Sequence, residues 1–168
     1  MTKESRSYEE LVEECRPEVP EVFPADVAER LGGPDAPLLL DVREPYEFDA
    51  FHVPGALNVP RGILEGAAEW GYEDTVPDLA AARDADRELV VICRSGQRSL
   101  LAGRTLQRMG FSRVSSMKTG LRGWDEEEVP LEDGAGGPVS EETLENHLDA
   151  GPRPEQLGPG GGPHGADS

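Results

Sequence analysis

The stretch Val90-Val91-Ile92-Cys93-Arg94-Ser95-Gly96-Gln97-Arg98-Ser99 limits what this chain can fold into more than any other. A short run of β-branched residues with no polar alternation reads as a strand buried on both faces. It ends in a cysteine, continues as a small polar loop, and leads into a segment of helical pattern from Ser99 to Met109. At such a junction the unpaired N–H groups of the loop and of the helix start converge, and with the helix dipole they favour an anion. They also favour thiolate over thiol, and placements of this kind lower a cysteine pKa from about 8.5 to roughly 3.5–7.5. A cysteine at the end of an apolar strand can equally be a small buried hydrophobe. The loop argues otherwise, because two arginines, two serines and a glycine in six residues are poor core material. Cys93 is therefore expected to be a reactive thiolate.

Charge distribution agrees. The chain carries −18 overall, yet between Leu89 and Trp124 stand Arg94, Arg98, Arg104, Arg108, Arg113, Lys118 and Arg122 with no Asp or Glu. A thiolate in a positive island suits an anionic substrate. The overall acidity argues against nucleic acid and against an anionic membrane surface as partners. Arginine supplies all but two of the basic residues, which with the acid surplus suggests salt adaptation. No stretch approaches the ~20 apolar residues of a membrane span. Met1 to Ser7 lack an apolar signal core, so a cytoplasmic location is expected. Two cysteines 78 positions apart make no disulfide framework. His52, His147 and His164 are scattered, so neither a metal nor a cofactor is expected. Cys15, beside Glu13 and Glu14, reads as a structural or surface residue.

Taken in order, Tyr8 to Cys15 reads as a short amphipathic helix stopped near Pro17, and Pro24 to Leu31 as a second helix with Pro at its start. Leu38 to Val42, Ala56 to Val59, Leu89 to Ile92 and Val114 to Met117 read as strands. Between them, Glu44 to Phe51 reads as a helix and residues 61–87 are helical in tendency. Gly110 stops the helix after the cysteine loop, and Gly120 to Trp124 opens a closing one. Strands alternating with helices give an α/β fold with a mainly parallel sheet, in which ligands bind outside the strands' carboxyl ends. Asp41 and Cys93 both fall there. Three regions are expected: an N-terminal helical extension (1–21), the α/β domain (22–132) and an acidic Gly/Pro-rich tail (133–168). The tail carries a short helix at 140–148, and disorder is expected from 151 onward.

Three blocks in this order resemble the single-domain rhodaneses, which are sulfurtransferases. They are Leu39-Leu40-Asp41-Val42-Arg43-Glu44-Pro45-Tyr46-Glu47-Phe48, continuing to His52-Val53-Pro54-Gly55-Ala56; the loop Cys93 to Ser99; and Gly120-Leu121-Arg122-Gly123-Trp124. The resemblance covers about residues 22–128. It implies a five-stranded, mainly parallel sheet flanked by helices on both faces, and transfer of sulfane sulfur through a persulfide on Cys93. The backbone N–H groups of Arg94, Ser95, Gly96, Gln97 and Arg98 would hold the thiolate and then the outer sulfur, with Ser99 closing the loop. Arg98, with Arg94, would orient a donor such as thiosulfate, since a guanidinium can grip two oxygens at once. Asp41 and Arg43 resemble a bracing pair, and Glu47 and His52 resemble scaffold. Implied acceptors are cyanide, a low-molecular-weight thiol or a thiol protein. Two departures stand out: Phe51 where the family usually has Gly, and Thr119 where it often has the first of two glycines. Phe51 would cost backbone ease or mark a contact patch, and Thr119 would alter the rim of the pocket.

Two other functions compete. Phosphatases and arsenate reductases of related fold have five residues between cysteine and arginine, whereas four separate Cys93 from Arg98, and Ile92 replaces the His that commonly precedes a phosphatase cysteine. The other is a rhodanese-like sulfur-relay or partner-binding module with little turnover of free thiosulfate.

Overall fold

The computed structural model describes residues 4–162; His164 and the last residues of the Gly/Pro stretch lie outside them. Five strands form one parallel sheet: β1 (Glu21–Val22), β2 (Leu38–Asp41), β3 (Leu57–Asn58), β4 (Leu89–Ile92) and β5 (Val114–Met117), in spatial order β1-β5-β4-β2-β3. The apolar run that ends in Cys93 is thus the central strand. It pairs Asp41 with Ile92 on one side and Leu89 with Val114 on the other. β1 carries no signal of its own, being two residues flanked by prolines. Pairing makes it a strand, for Ser116 N–H donates to Pro20 and Lys118 N–H to Val22 across the β1–β5 edge.

Eight α-helices lie among the described residues: α1 (Tyr8–Cys15), α2 (Pro24–Arg30), α3 (Pro45–Ala50), α4 (Leu64–Ala67), α5 (Pro77–Asp84), α6 (Gln97–Arg108), α7 (Gly120–Glu126) and α8 (Glu141–Leu148). Residues 61–87, helical in tendency throughout, break into a 3-10 turn, α4 and α5. Pro77 at the first position of α5 starts a new helix rather than continuing an old one.

Strand alternation divides the core in two. Leu38, Leu40, Val42, Leu89, Val91, Cys93 and Val114 face α4, α5 and α6, packing on Leu64, Leu79, Ala102 and Leu106. Leu39, Val90, Ile92 and Met117 face the other way, onto Val27 of α2 and Leu121 and Trp124 of α7. Leu148 of α8 joins this second core at 3% exposure, with Leu144 beside it. The segment beyond residue 132 therefore contributes buried surface, contrary to what its Gly/Pro content suggests. At the other end, Val12 and Cys15 of α1 pack with Val19 on Leu100 of α6. No helix among the described residues is long and apolar enough to cross a membrane.

Candidate active site

Strand parity sends the Cys93 side chain to the α6 face of the sheet, two residues beyond Val91, and the residue is 1% exposed. The chain then turns through Arg94 and Ser95 into α6, whose N-cap is Gly96 at φ +94°. A left-handed turn there folds the loop back over the sulfur, so that the N–H groups of Gly96 (3.1 Å) and Ser99 (3.4 Å) donate to Sγ. Ser99 Oγ lies 3.4 Å from the same sulfur and 2.7 Å from Ser116 Oγ on β5. Cys93 thus heads a buried line of three polar side chains. The loop rests on the start of α7: Leu121 N–H donates to Cys93 O and Arg122 N–H to Arg94 O. This approach requires Gly120, since a side chain there would collide with the Cys93 carbonyl. Thr119, at the position noted as a departure, takes φ +64°, a left-handed backbone that a β-branched residue rarely adopts.

The arginines of the loop are engaged. Arg98 makes two parallel bonds of 2.9 Å to the Glu47 carboxylate, which also accepts the Glu44 N–H at 2.9 Å. Burial pushes the Glu47 pKa up, but the hydrogen bonds from Arg98 and from the Glu44 backbone outweigh it and hold the group below its ordinary value. The same contact makes Arg98 still more basic. The fork expected to face an anionic donor is therefore turned on Glu47. Arg94 reaches the other way, its Nη2 donating to Ala150 O just past α8 at 3.3 Å.

Asp41 and Arg43 are both buried, on the turn out of β2. Arg43 Nε and Nη2 meet the Asp41 carboxylate at 2.9–3.2 Å, and the remaining contacts go to backbone: Nη2 to Phe51 O at 2.7 Å and Nη1 to Glu47 O at 3.3 Å. The pair ties β2 to both ends of α3. His52 stacks on Phe48, with Nδ1 2.9 Å from Phe48 O and Nε2 3.1 Å from Glu132 Oε1. Its partners make it part of the frame. Phe51, the other departure, has φ −168°, extended backbone open to any residue, and no ease is lost. It is fully buried, with its ring at right angles to His147 of α8.

Of the residues expected at the site, Cys93, Gly96 and Ser99 come together at the sulfur, while the Arg94 and Arg98 side chains are turned on Ala150 O and on the buried Glu47. Sequence reasoning missed Ser116 and the pairing of Glu47 with Arg98. Only the second left a trace: Glu44 and Glu47 at capping-box spacing mark a carboxylate fixed at the start of α3.

Comparisons with known proteins locate this arrangement. The rhodanese-like domain family matches residues 23–127. A sulfurtransferase of Allochromatium vinosum is 28% identical over 113 residues, covering 67% of this chain and 94% of that one. YrkF of Bacillus subtilis, named as a candidate sulfur carrier protein, is 30% identical over 106 residues; the match covers 63% of this chain and only 51% of YrkF, about half its length. A solved structure from Rhodopseudomonas palustris, of unknown function and described as a candidate tyrosine phosphatase, superposes with TM-score 0.66 at 25% identity, covering 83% of this chain and 98% of that one. With the family match running from the end of β1 to the end of α7 and taking in the whole Cys93 loop, the chain belongs to the rhodanese-like family of sulfurtransferases and sulfur carriers.

Proposed function

We propose that the chain moves sulfane sulfur from an anionic donor such as thiosulfate to a thiophilic acceptor through a persulfide on Cys93. The observation that carries this reading is the position of Sγ at the carboxyl end of the central strand, under the N–H groups of Gly96 and Ser99. Hydrogen bonds of this kind suit a sulfur anion and ask for no general base. The Ser99 hydroxyl serves either state of the sulfur. It accepts from the thiol and rotates to donate to the thiolate, with Ser116 as its second partner.

In the first step the Cys93 thiolate attacks the outer sulfur of thiosulfate. The S–S bond of the donor breaks, sulfite leaves with the bonding pair, and Cys93 carries the persulfide with its negative charge on the outer sulfur. In the second step cyanide, a low-molecular-weight thiolate or a protein thiolate attacks that outer sulfur, and the Cys93 thiolate is the leaving group. Arg98, held on Glu47, contributes positive charge near the sulfur rather than a two-pronged grip on the donor. A phosphate-transfer reading fits less well, because the loop has one residue fewer between Cys93 and Arg98 than phosphatases do, and its arginine is turned on a carboxylate.

Mass spectrometry of the intact chain and its peptides after incubation with thiosulfate is the test. One sulfur should appear on the Cys93 peptide and leave on addition of cyanide. Cys93→Ser should abolish loading and Cys15→Ser should leave it. Sulfur found on Cys15 alone would defeat the assignment. Loading from a persulfidated protein but not from thiosulfate would establish the relay form of the reading, which the candidate carrier among the relatives favours.

A further inference from the structure

The family match begins at residue 23, so α1 lies outside it. This helix is nevertheless built onto the site. Its stripe Tyr8, Val12, Cys15 repeats at the spacing of a single helix face, and Val12 and Cys15 are buried in one cluster with Leu100 of α6. Further along, Val19 packs where Gly103 lacks a side chain, Glu18 pairs with Arg104 at 2.8 Å, and Glu18 O accepts from Gln107 at 2.8 Å. The segment therefore follows α6 in the same direction. Carried back one turn from Val12, the register sets Tyr8 level with the loop that opens α6. The start of α1 is fixed as well: Ser7 Oγ accepts the Glu10 N–H, and the Glu10 carboxylate accepts the Ser7 N–H. The charged groups whose fields reach the Tyr8 phenol are Cys93 and Arg98. Burial and the negative charge of Cys93 raise its pKa against the opposing pull of Arg98, so the phenol keeps its proton and remains a donor. The side chain is 51% exposed, open to whatever approaches the loop.

We infer that Tyr8 is a donor-positioning residue of the Cys93 site, its O–H donating to an oxygen of the anionic sulfur donor while its ring walls the α1 side of the approach. Arg98 turned on Glu47 and Arg94 on Ala150 leave a role for such a donor at the mouth. The inference rests on the sulfur-transfer reading, but its chemistry is recognition of an oxyanion next to a thiolate, which can be measured without sulfur transfer.

The experiment compares wild type, Tyr8→Phe and a control, Leu11→Ala, on the exposed side of the same helix. Alkylation of Cys93 is timed with iodoacetate and with iodoacetamide, and steady-state turnover of thiosulfate is measured alongside. Loss of one hydrogen bond to a charged group should raise KM for thiosulfate about tenfold in Tyr8→Phe with kcat much less affected. The rate ratio of iodoacetate to iodoacetamide should fall in the same variant and stay at the wild-type value in Leu11→Ala. An unchanged ratio in Tyr8→Phe overturns the inference. If wild type takes no sulfur from thiosulfate or from a persulfidated protein, the sulfur-transfer reading fails by that result, and the alkylation ratio still decides the role of Tyr8.

Discussion

Glu47 decides what the arginine of the loop can do. Its carboxylate binds Arg98 through two hydrogen bonds and the Glu44 N–H through a third, which outweigh the cost of burial and keep it ionised. A carboxylate with a lowered folded pKa adds stability above its unfolded value, near 4.5, and that stability is lost as pH falls through the folded value. Urea denaturation as a function of pH should therefore show wild-type stability level above that pH and declining below it. Glu47→Gln should be about 1–3 kcal/mol less stable at pH 7, with a flatter acid limb, so that the two curves approach each other at low pH. Parallel acid limbs would show that the pair contributes nothing. Capping-box spacing marks the carboxylate but nothing local marks its partner, because Arg98 lies 51 positions away and only the β2–β4 pairing brings the two turns together. Cys93, by contrast, was legible from local chemistry alone, since a strand end, a glycine turn and a helix start are consecutive in the chain.

At the scale of elements, the buried strands and the helix after Cys93 could be read directly because their apolar runs are continuous and their stops are glycine or proline. The two-residue β1 and the breaks between residues 61 and 87 could not, since pairing and packing set them rather than propensity. α8 shows a different limit. A short helix at 140–148 is legible and forms over Glu141–Leu148. Its docking is not, since the composition around it reads as solvated tail while Leu148 and Leu144 enter the second core and His147 meets Phe51. Leu148→Ala should lower stability by about 2 kcal/mol, a fall in Tm of roughly 4–8 °C for a domain of this size. Removal of residues 140–168 should lower it at least as much. Differential scanning calorimetry checks both, and a truncated chain melting at the wild-type temperature would place α8 off the domain. Because Arg94 donates to Ala150 O, the truncation also frees one arginine of the Cys93 loop.

Across the whole molecule, negative charge works against compaction. With −18 overall, the folded state is opposed by its own field, and α8 docks against like charge: Asp125 of α7 faces Glu141, Glu145 and Asp149 around a cleft of about 360 Å³. Burial first, then Asp149 and Glu126, push the Asp125 pKa up. At about 1 M salt the Debye length falls to ~3 Å and this repulsion is screened. Tm should accordingly rise between low and molar NaCl, and a flat or falling Tm would remove charge repulsion as the limit on stability. The sheet itself bears on how the molecule meets others. Its outermost strands, β1 and β3, are two residues long, while the three inner strands have four each. A lateral edge so short exposes few unpaired N–H and C=O groups for a foreign strand to continue. Growth into filaments by strand addition is therefore discouraged by the geometry of the rim, and the sheet edges offer a partner chain far less than the helices and loops do.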